Sequence, residues 1–124
     1  MEVFNRGNSR NTGQLTTLTS WMLISPQHSS TRSISIQVSE IPVGSAQTVH
    51  NHIPEQCYYI IKGNGLMIIE GETREVSKGD AVYIPSNSKH GIKNIGGDVL
   101  EYLTANAPVF GREYEDRLWP ADPA

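Results

Sequence analysis

The sequence predicts an all-β domain, either a sandwich or a barrel, and three observations support this prediction. Short segments rich in β-branched and aromatic residues recur about every 8 to 12 residues along the chain. Glycine stands at most of the junctions between these segments. Residues 33–39 alternate apolar and polar side chains, which is typical of a half-buried strand. With 124 residues and no internal repeat, the chain is expected to form a single domain.

The N-terminal part of the chain is predicted to form an arm and two strands. Residues 1–14 are polar and contain several asparagines and glycines, which favours a loop or arm. The threonines and serines in residues 15–23 favour a strand over a helix, and Pro26 ends it. The alternating segment 33–39 is the next strand. Its apolar side chains, which we expect on one buried face, are Ile34, Ile36 and Val38.

Six further strands are predicted after the histidine-containing segment, and glycine, proline or aspartate marks the turns between them. They are residues 57–61, 66–70, 73–76, 81–84, 90–95 and 99–104. The domain therefore extends over residues 15–106. Residues 107–124 form a C-terminal tail, in which the charged segment 112–117 can make one or two helical turns before Pro120.

Composition excludes several classes of function. The net charge of −3 and the lack of a basic stripe argue against nucleic acid as a partner. No apolar run approaches the ~20 residues that a membrane-spanning helix requires. The first residues lack the charged region and apolar core of a signal peptide, and Cys57 has no second cysteine to pair with. We therefore expect a cytoplasmic protein.

Two of the four histidines, His50 and His52, are separated by a single residue. On an extended segment, side chains at positions i and i+2 point to the same face, so both imidazoles can converge on one point. Neutral imidazole is the most common nitrogen ligand of metals in proteins. The alternative is a pair of hydrogen-bonded polar residues at the mouth of a metal-free barrel, since a core rarely holds histidines without partners.

The spacing around these histidines resembles the two motifs of the cupin superfamily. The first motif is Gly44, five residues, His50, Asn51, His52, three residues, Gln56, six residues and Gly63. The second is Gly79, five residues, Pro85, one residue, Asn87, two residues, His90, three residues and Asn94. Each motif keeps four of the family's five marked positions, and 15 residues separate the two motifs. The departures are Gln56, where the family has Glu, and Asn87, where it has Gly.

This resemblance implies a small single-domain, metal-binding cupin with an RmlC-like jelly-roll β-barrel, also called a double-stranded β-helix. It further implies that His50, His52 and His90 bind one divalent metal ion together with Gln56. Three imidazoles suit Zn, Fe, Ni, Mn or Cu better than Mg or Ca, which prefer oxygen ligands. Strand parity agrees, because positions 50, 52 and 56 are all even. The resemblance also implies a homodimer.

Replacing the family's glutamate by Gln56 removes one negative charge from the expected metal site. An amide oxygen is a weaker ligand than a carboxylate, so metal retention should be weaker. A site with a net charge near +2 should favour an anionic or enediolate-like substrate. Asn87 is a milder departure, because asparagine tolerates the left-handed backbone conformation better than other residues with a Cβ atom.

Few residues near the motifs are candidates for proton transfer or for lining the pocket. Glu55 and Tyr58 are the acid–base candidates, and Tyr58, Met67 and Tyr102 are the candidates for the pocket wall. Cys57 has the opposite parity to Gln56 and is expected outside the barrel. This shortage of acids and bases favours chemistry carried out largely by the metal.

Two classes of function follow from the sequence. The first is a metalloenzyme acting on a small organic molecule, with dioxygenase-type cleavage as the first choice and isomerase or lyase chemistry next. The second is a cupin that binds a small molecule or a sugar without transforming it. For either class, we expect metal affinity to decrease as the pH falls through about 6.5, because protons then compete with the metal for the imidazoles.

Overall fold

The computed structural model describes residues 1–12 and 17–111 and consists of two antiparallel sheets that enclose a barrel. The strands are β1 Thr19–Ile24, β2 Ser35–Ile41, β3 Ala46–His50, β4 Glu55–Lys62, β5 Asn64–Ile69, β6 Glu72–Ser77, β7 Ala81–Ile84, β8 His90–Asn94 and β9 Leu100–Ala107. One sheet has the order β1-β2-β9-β4-β7 and the other the order β3-β8-β5-β6. Neighbours in each sheet are mostly distant in the chain, as in a jelly roll. The predicted all-β fold is confirmed.

The barrel interior changes from polar to apolar along its axis. On β4 the inward side chains are Gln56, Tyr58 and Ile60, and on β9 they run from Asn106 through Thr104 and Tyr102 to Leu100. Five aliphatic side chains of the hydrophobic cluster are almost fully buried, each contributing about 1.5–3 kcal/mol. They are Ile41, Ile60, Ile84, Ile92 and Leu100. The core therefore fills one end of the barrel and leaves the other end for a polar site.

The prediction for the inward face of β2 is wrong. Ile34, expected in the core, is 45% exposed, whereas Ser35, Gln37 and Ser39 are buried and face the interior. The reason is that β2 crosses the polar end of the barrel, so its polar side chains find partners inside. The apolar side chains Ile36 and Val38 lie on the outer face, where Val38 is buried and pairs with Trp21 of β1, whereas Ile41 at the end of the strand is in the core. Hydrophobic alternation identified the strand but not its orientation.

The N-terminal arm is bound to the barrel as far as it is described. Asn11 pairs antiparallel with Trp21, so the arm covers the free edge of β1. Arg6 forms salt bridges to Glu40 at 2.6 Å and Glu101 at 3.1 Å, and its guanidinium lies 3.7 Å from the centre of the Trp21 ring.

Two predictions fall partly or wholly outside the described residues: the start of the first strand at Leu15 and the helical turns in segment 112–117. Among the residues that the structure does describe, no helix is long and apolar enough to cross a membrane.

Candidate metal centre

The three motif histidines meet at the polar end of the barrel. His50 ends β3, His90 begins β8, and the two residues stand directly opposite each other in the β3–β8 ladder. His52 follows in the loop that leads to β4, and Gln56 is the second residue of that strand. Residues 40 positions apart in the chain are thus brought together by a single strand pair.

The imidazoles are close enough to share one ion. One ligand atom from each histidine lies within 4.8 Å of the others. The ring centres are 4.4 Å apart for His50 and His90, 4.8 Å for His52 and His90, and 5.3 Å for His50 and His52. Ligand nitrogens around one ion at ~2.0–2.1 Å must lie within about 4.2 Å of one another, so only small adjustments are needed.

Backbone carbonyls fix the orientation of all three rings. Each Nδ1 atom donates to a main-chain oxygen two residues away in the sequence. The pairs are His50 with Thr48 at 2.8 Å, His52 with Pro54 at 2.8 Å and His90 with Ser88 at 2.9 Å. A carbonyl oxygen can only accept, so each Nδ1 carries the proton and each neutral ring keeps its lone pair on Nε2. No pattern in the sequence indicated these three hydrogen bonds.

Three buried acceptor atoms have no hydrogen-bond partner among the described residues: His52 Nε2, His90 Nε2 and Gln56 Oε1. An unsatisfied buried polar atom costs about 1–3 kcal/mol. Lone pairs that converge without a donor among them are what a bound cation would satisfy. The residues present therefore fit a metal ion.

Burial favours the neutral form of two of the candidate ligands. It lowers the pKa of His52, against the opposing effects of the Pro54 carbonyl and the nearby Gln56 amide. Burial lowers the pKa of His90 further, to about 4, and the neighbouring histidines lower it as well. The competition between protons and metal expected near pH 6.5 therefore shifts to lower pH for these two residues, so metal binding should persist at mildly acidic pH.

We expect the metal-free protein to lose stability as the pH falls from about 6.5 towards 4. The pKa of His90 is about 4 in the folded state, against an ordinary value of 6.5, so the unfolded state binds more protons between these values. The contribution of His90 should lower the free energy of unfolding by up to about 1.4 kcal/mol for each unit by which the pH falls in this range. Above pH 6.5, His90 should have no effect on the pH dependence of stability. Urea denaturation at a series of pH values measures this slope, and a His90→Gln variant with an unchanged slope would contradict the assignment.

A cavity of about 230 Å³ opens beside the histidines. Its described lining consists of hydroxyl, amide, imidazole, aromatic and one aliphatic side chain, with no Asp, Glu, Lys or Arg. Of the predicted pocket residues, Tyr58 and Tyr102 line this cavity, whereas Met67 packs in the apolar core. Glu55 is exposed on the face of β4 opposite Gln56, so we exclude it from the acid–base candidates. Cys57 is exposed, as expected.

Gln47 is a cavity residue that sequence analysis missed. Its Oε1 accepts from Tyr58 Oη at 3.0 Å and lies 3.5 Å from Tyr102 Oη, and the two tyrosine rings stack with centres 4.7 Å apart. With the oxygen end held by the tyrosines and no partner for Nε2 among residues 1–12 and 17–111, the Nε2 donor of Gln47 can serve a ligand in the cavity. Gln47 precedes His50 by three residues in a segment that we considered only for its histidines.

Asn87 connects the two motif loops. Its φ of 62° is the left-handed conformation that glycine adopts most readily, which asparagine tolerates as predicted. Its backbone N–H donates to the His52 carbonyl at 2.7 Å, and its side-chain oxygen accepts from Asn51 at 2.7 Å. Glycine has no side chain to form the second hydrogen bond. Asparagine at position 87 therefore adds a side-chain connection between the two motif loops, next to the histidines.

Comparison with known proteins identifies a family. The model of the Cupin domain family matches residues 37–106. An RmlC-like cupin from Shewanella frigidimarina superposes with a TM-score of 0.74 over 92% of this chain and 96% of that one, at 17% identity. At that identity the likeness shows the jelly-roll fold alone.

Three curated relatives share part of their length with this chain. An uncharacterized protein of Methanocaldococcus jannaschii is 41% identical over 80 residues, 64% of each chain. The oxalate-binding protein of Thermotoga maritima is 34% identical over 65 residues, 52% of this chain and 54% of the relative. The dimethylsulfoniopropionate lyase DddW of Ruegeria pomeroyi is 30% identical over 69 residues, 56% of this chain and 45% of the relative. The match thus covers less than two thirds of each relative's length.

Proposed function

The chain belongs to the Cupin domain family, and on that premise we propose that it is a metal-dependent enzyme acting on a small organic anion. One observation carries the proposal: three Nδ1-anchored imidazoles and the oxygen of Gln56 present lone pairs to one place, beside a cavity without charged side chains among its described residues. Dioxygen-dependent cleavage is the first reaction class, and isomerisation or elimination is the second.

The donor set selects the class of ion. Three imidazole nitrogens and one amide oxygen favour a divalent transition metal, namely Zn, Fe, Ni, Mn or Cu. Such an ion supplies Lewis acidity and a fixed position for a substrate oxygen. Because all four ligands are neutral, the site keeps the full +2 charge, and an anion is the substrate that neutralises it.

The side chains of the cavity bind and orient the substrate rather than ionise. Burial raises the pKa of Tyr102 far above its usual value, so its hydroxyl stays protonated and acts only as a hydrogen-bonding group. Gln47 Nε2 offers a donor to a substrate oxygen beside the metal position. No carboxylate or amine base is present in the described lining, which favours a reaction that does not depend on a dedicated side-chain base.

The test is to load the protein with each candidate metal and supply a panel of small carboxylates and enediols. Oxygen uptake that requires both metal and substrate supports cleavage by dioxygen. Product formed without oxygen uptake supports isomerisation or elimination, the second reaction class. Protein that takes up none of the five metals would overturn the proposal as a whole.

A second candidate is a metal-dependent binding protein. The relative named as an oxalate-binding protein and the absence of a side-chain base in the described lining favour this reading. Calorimetry separates the two functions: a binding protein holds the carboxylate with metal present and returns it unchanged.

We further propose that the chain forms a homodimer through the outer face of its five-stranded sheet. Tyr59 and Tyr83 are 50% and 56% exposed there, on the neighbouring strands β4 and β7, and Cys57 lies directly opposite Tyr83 in the same ladder. Aromatic side chains of this kind are enriched at protein interfaces. Sedimentation of the full chain measures the assembly, and a monomer at micromolar concentration would contradict it.

A further inference from the structure

A row of buried side-chain amides leads away from the metal centre across three neighbouring strands. Gln56 Nε2 on β4 donates to Asn106 Oδ1 on β9 at 2.6 Å. Asn106 Nδ2 donates in turn to Gln37 Oε1 at 3.0 Å and to Ser35 Oγ at 2.9 Å, both on β2. Asn106 stands directly opposite Gln56 on one side and Ser35 on the other. We call Gln56, Asn106 and Gln37 the amide row.

The amide row has a direction. Each amide has one donating and one accepting end, and Asn106 uses both of its N–H groups on Gln37 and Ser35. Its oxygen therefore faces Gln56, and only the Nε2 end of Gln56 can lie against it. The remaining end, Gln56 Oε1, is the buried acceptor that belongs to the metal centre.

The direction of the row is difficult to reverse. If the Asn106 amide alone rotated by 180°, its Nδ2 would face Gln56 Nε2 and its Oδ1 would face Gln37 Oε1. Two donors and two acceptors would then oppose each other in a region that is almost fully buried. The row can reverse only if all three amides turn together. Gln56 would then direct Nε2 at the histidines, where a donor would occupy the lone pairs that a metal needs.

We propose that Asn106 is a positioning residue of the metal site, which holds Gln56 Oε1 towards the histidines and so makes a neutral amide the fourth ligand. This inference rests on the proposed metal site. It also explains why glutamine stands where the family motif has glutamate. A glutamate at position 56 would present a second acceptor to Asn106 Oδ1, at the position of the 2.6 Å hydrogen bond. The neutral ligand and Asn106 therefore match each other.

The test measures binding of Co²⁺ to the metal-free full chain at neutral pH, by calorimetry and by the visible spectrum of the bound ion. In Asn106→Leu, the leucine has a similar volume to asparagine but cannot orient Gln56. The affinity of this variant for Co²⁺ should fall by about ten- to a hundredfold, as is typical when a residue that orients a metal ligand is replaced. Its spectrum should change towards that of Gln56→Ala. In a Gln56→Ala background, Asn106→Leu should cause little further loss, because the residue acts only through Gln56.

Two further variants separate positioning from folding. Asn106→Asp still offers only acceptors to Gln56 Nε2, and Gln37 alone can turn its Nε2 towards the new carboxylate. This variant should therefore bind Co²⁺ at least as tightly as the wild type, even if Asn106→Leu does not fold. Asn94→Leu makes the same substitution at a buried asparagine that bonds the Ile41 and Asp98 carbonyls instead. It should lower stability but leave Co²⁺ affinity unchanged.

The outcomes distinguish this inference from the proposed function. Wild-type protein that does not bind Co²⁺ would overturn the metal site itself. Wild-type protein that binds Co²⁺, together with unchanged affinity in Asn106→Leu, additive losses in the double variant, or weaker binding in Asn106→Asp, would overturn only the positioning role.

Discussion

Replacing His50 and His90 together by alanine should abolish the binding of divalent transition metals. The variant keeps only His52 and Gln56 near the ion position, and both are neutral ligands that bind weakly without neighbours. Loss of two of three imidazoles should reduce affinity by at least ~1000-fold, because metal affinity in such sites depends on the full ligand set. Calorimetric titration of the metal-free protein with Zn²⁺ measures the change.

The fold should survive this double substitution. His90 is fully buried but its Nε2 has no partner in the part of the chain that the structure describes, so alanine removes an unsatisfied polar atom while it opens a small cavity. Circular dichroism should therefore still report a β protein. His28→Ala is the matched control, because His28 is exposed and bonded to Ser25 and the Leu23 carbonyl, away from the site. Normal Zn²⁺ uptake by the double variant would show that the metal binds elsewhere.

Gly63→Ala should be the most destabilising single substitution among the glycines of the two motifs. Gly63 has a φ of 91°, and a Cβ atom there would lie 2.6 Å from the Val99 carbonyl oxygen and 3.0 Å from Leu100 Cα. Both contacts are with backbone, so neither can move aside as a side chain would. We expect the free energy of unfolding to fall by about 3 kcal/mol or more. This loss combines backbone strain of about 1–2 kcal/mol with the cost of the steric overlap. Urea denaturation measures the loss.

Gly44→Ala separates the two contributions. Gly44 has a similar φ of 80°, but a Cβ atom there would meet nothing within 4 Å. Its loss of stability should be limited to the backbone strain of about 1–2 kcal/mol. Equal losses for the two variants would show that the contact with Val99 is relieved by a small shift of the chain.

The sequence predicted which residues meet at the candidate site because motif spacing and strand parity both act at short range. Parity along β4 correctly places Gln56 and Tyr58 inside the barrel and Cys57 outside. Glu55 was a candidate for proton transfer, but it has the opposite parity to Gln56 and the structure leaves it exposed. What brings His90 to His50 is the β3–β8 pairing, and only the resemblance to a family with known connections anticipated it.

The polar interior was beyond the reach of pattern analysis. Alternation along β2 identifies two faces, and the usual rule assigns the apolar face to the core. Here the end of the barrel that β2 crosses is polar, so Gln37 faces inward and Ile34 outward. Asn106 was missed for a related reason, because a lone asparagine near the end of a predicted strand carries no signal until its partners on other strands are known. Met67 shows the converse, because its side chain is buried but packs in the hydrophobic cluster and does not line the cavity.

The carbonyls that hold the three Nδ1 atoms belong to the same chain segments as the histidines themselves. The rings are therefore set during folding, and an arriving ion need not freeze them, so little side-chain entropy is lost when it binds. Preset nitrogen ligands do not by themselves discriminate between first-row metals, whose affinities follow their intrinsic order, with Cu²⁺ the strongest. If a metal binds here, we therefore expect its identity to be governed by supply, so that the metal content follows the medium in which the protein is made.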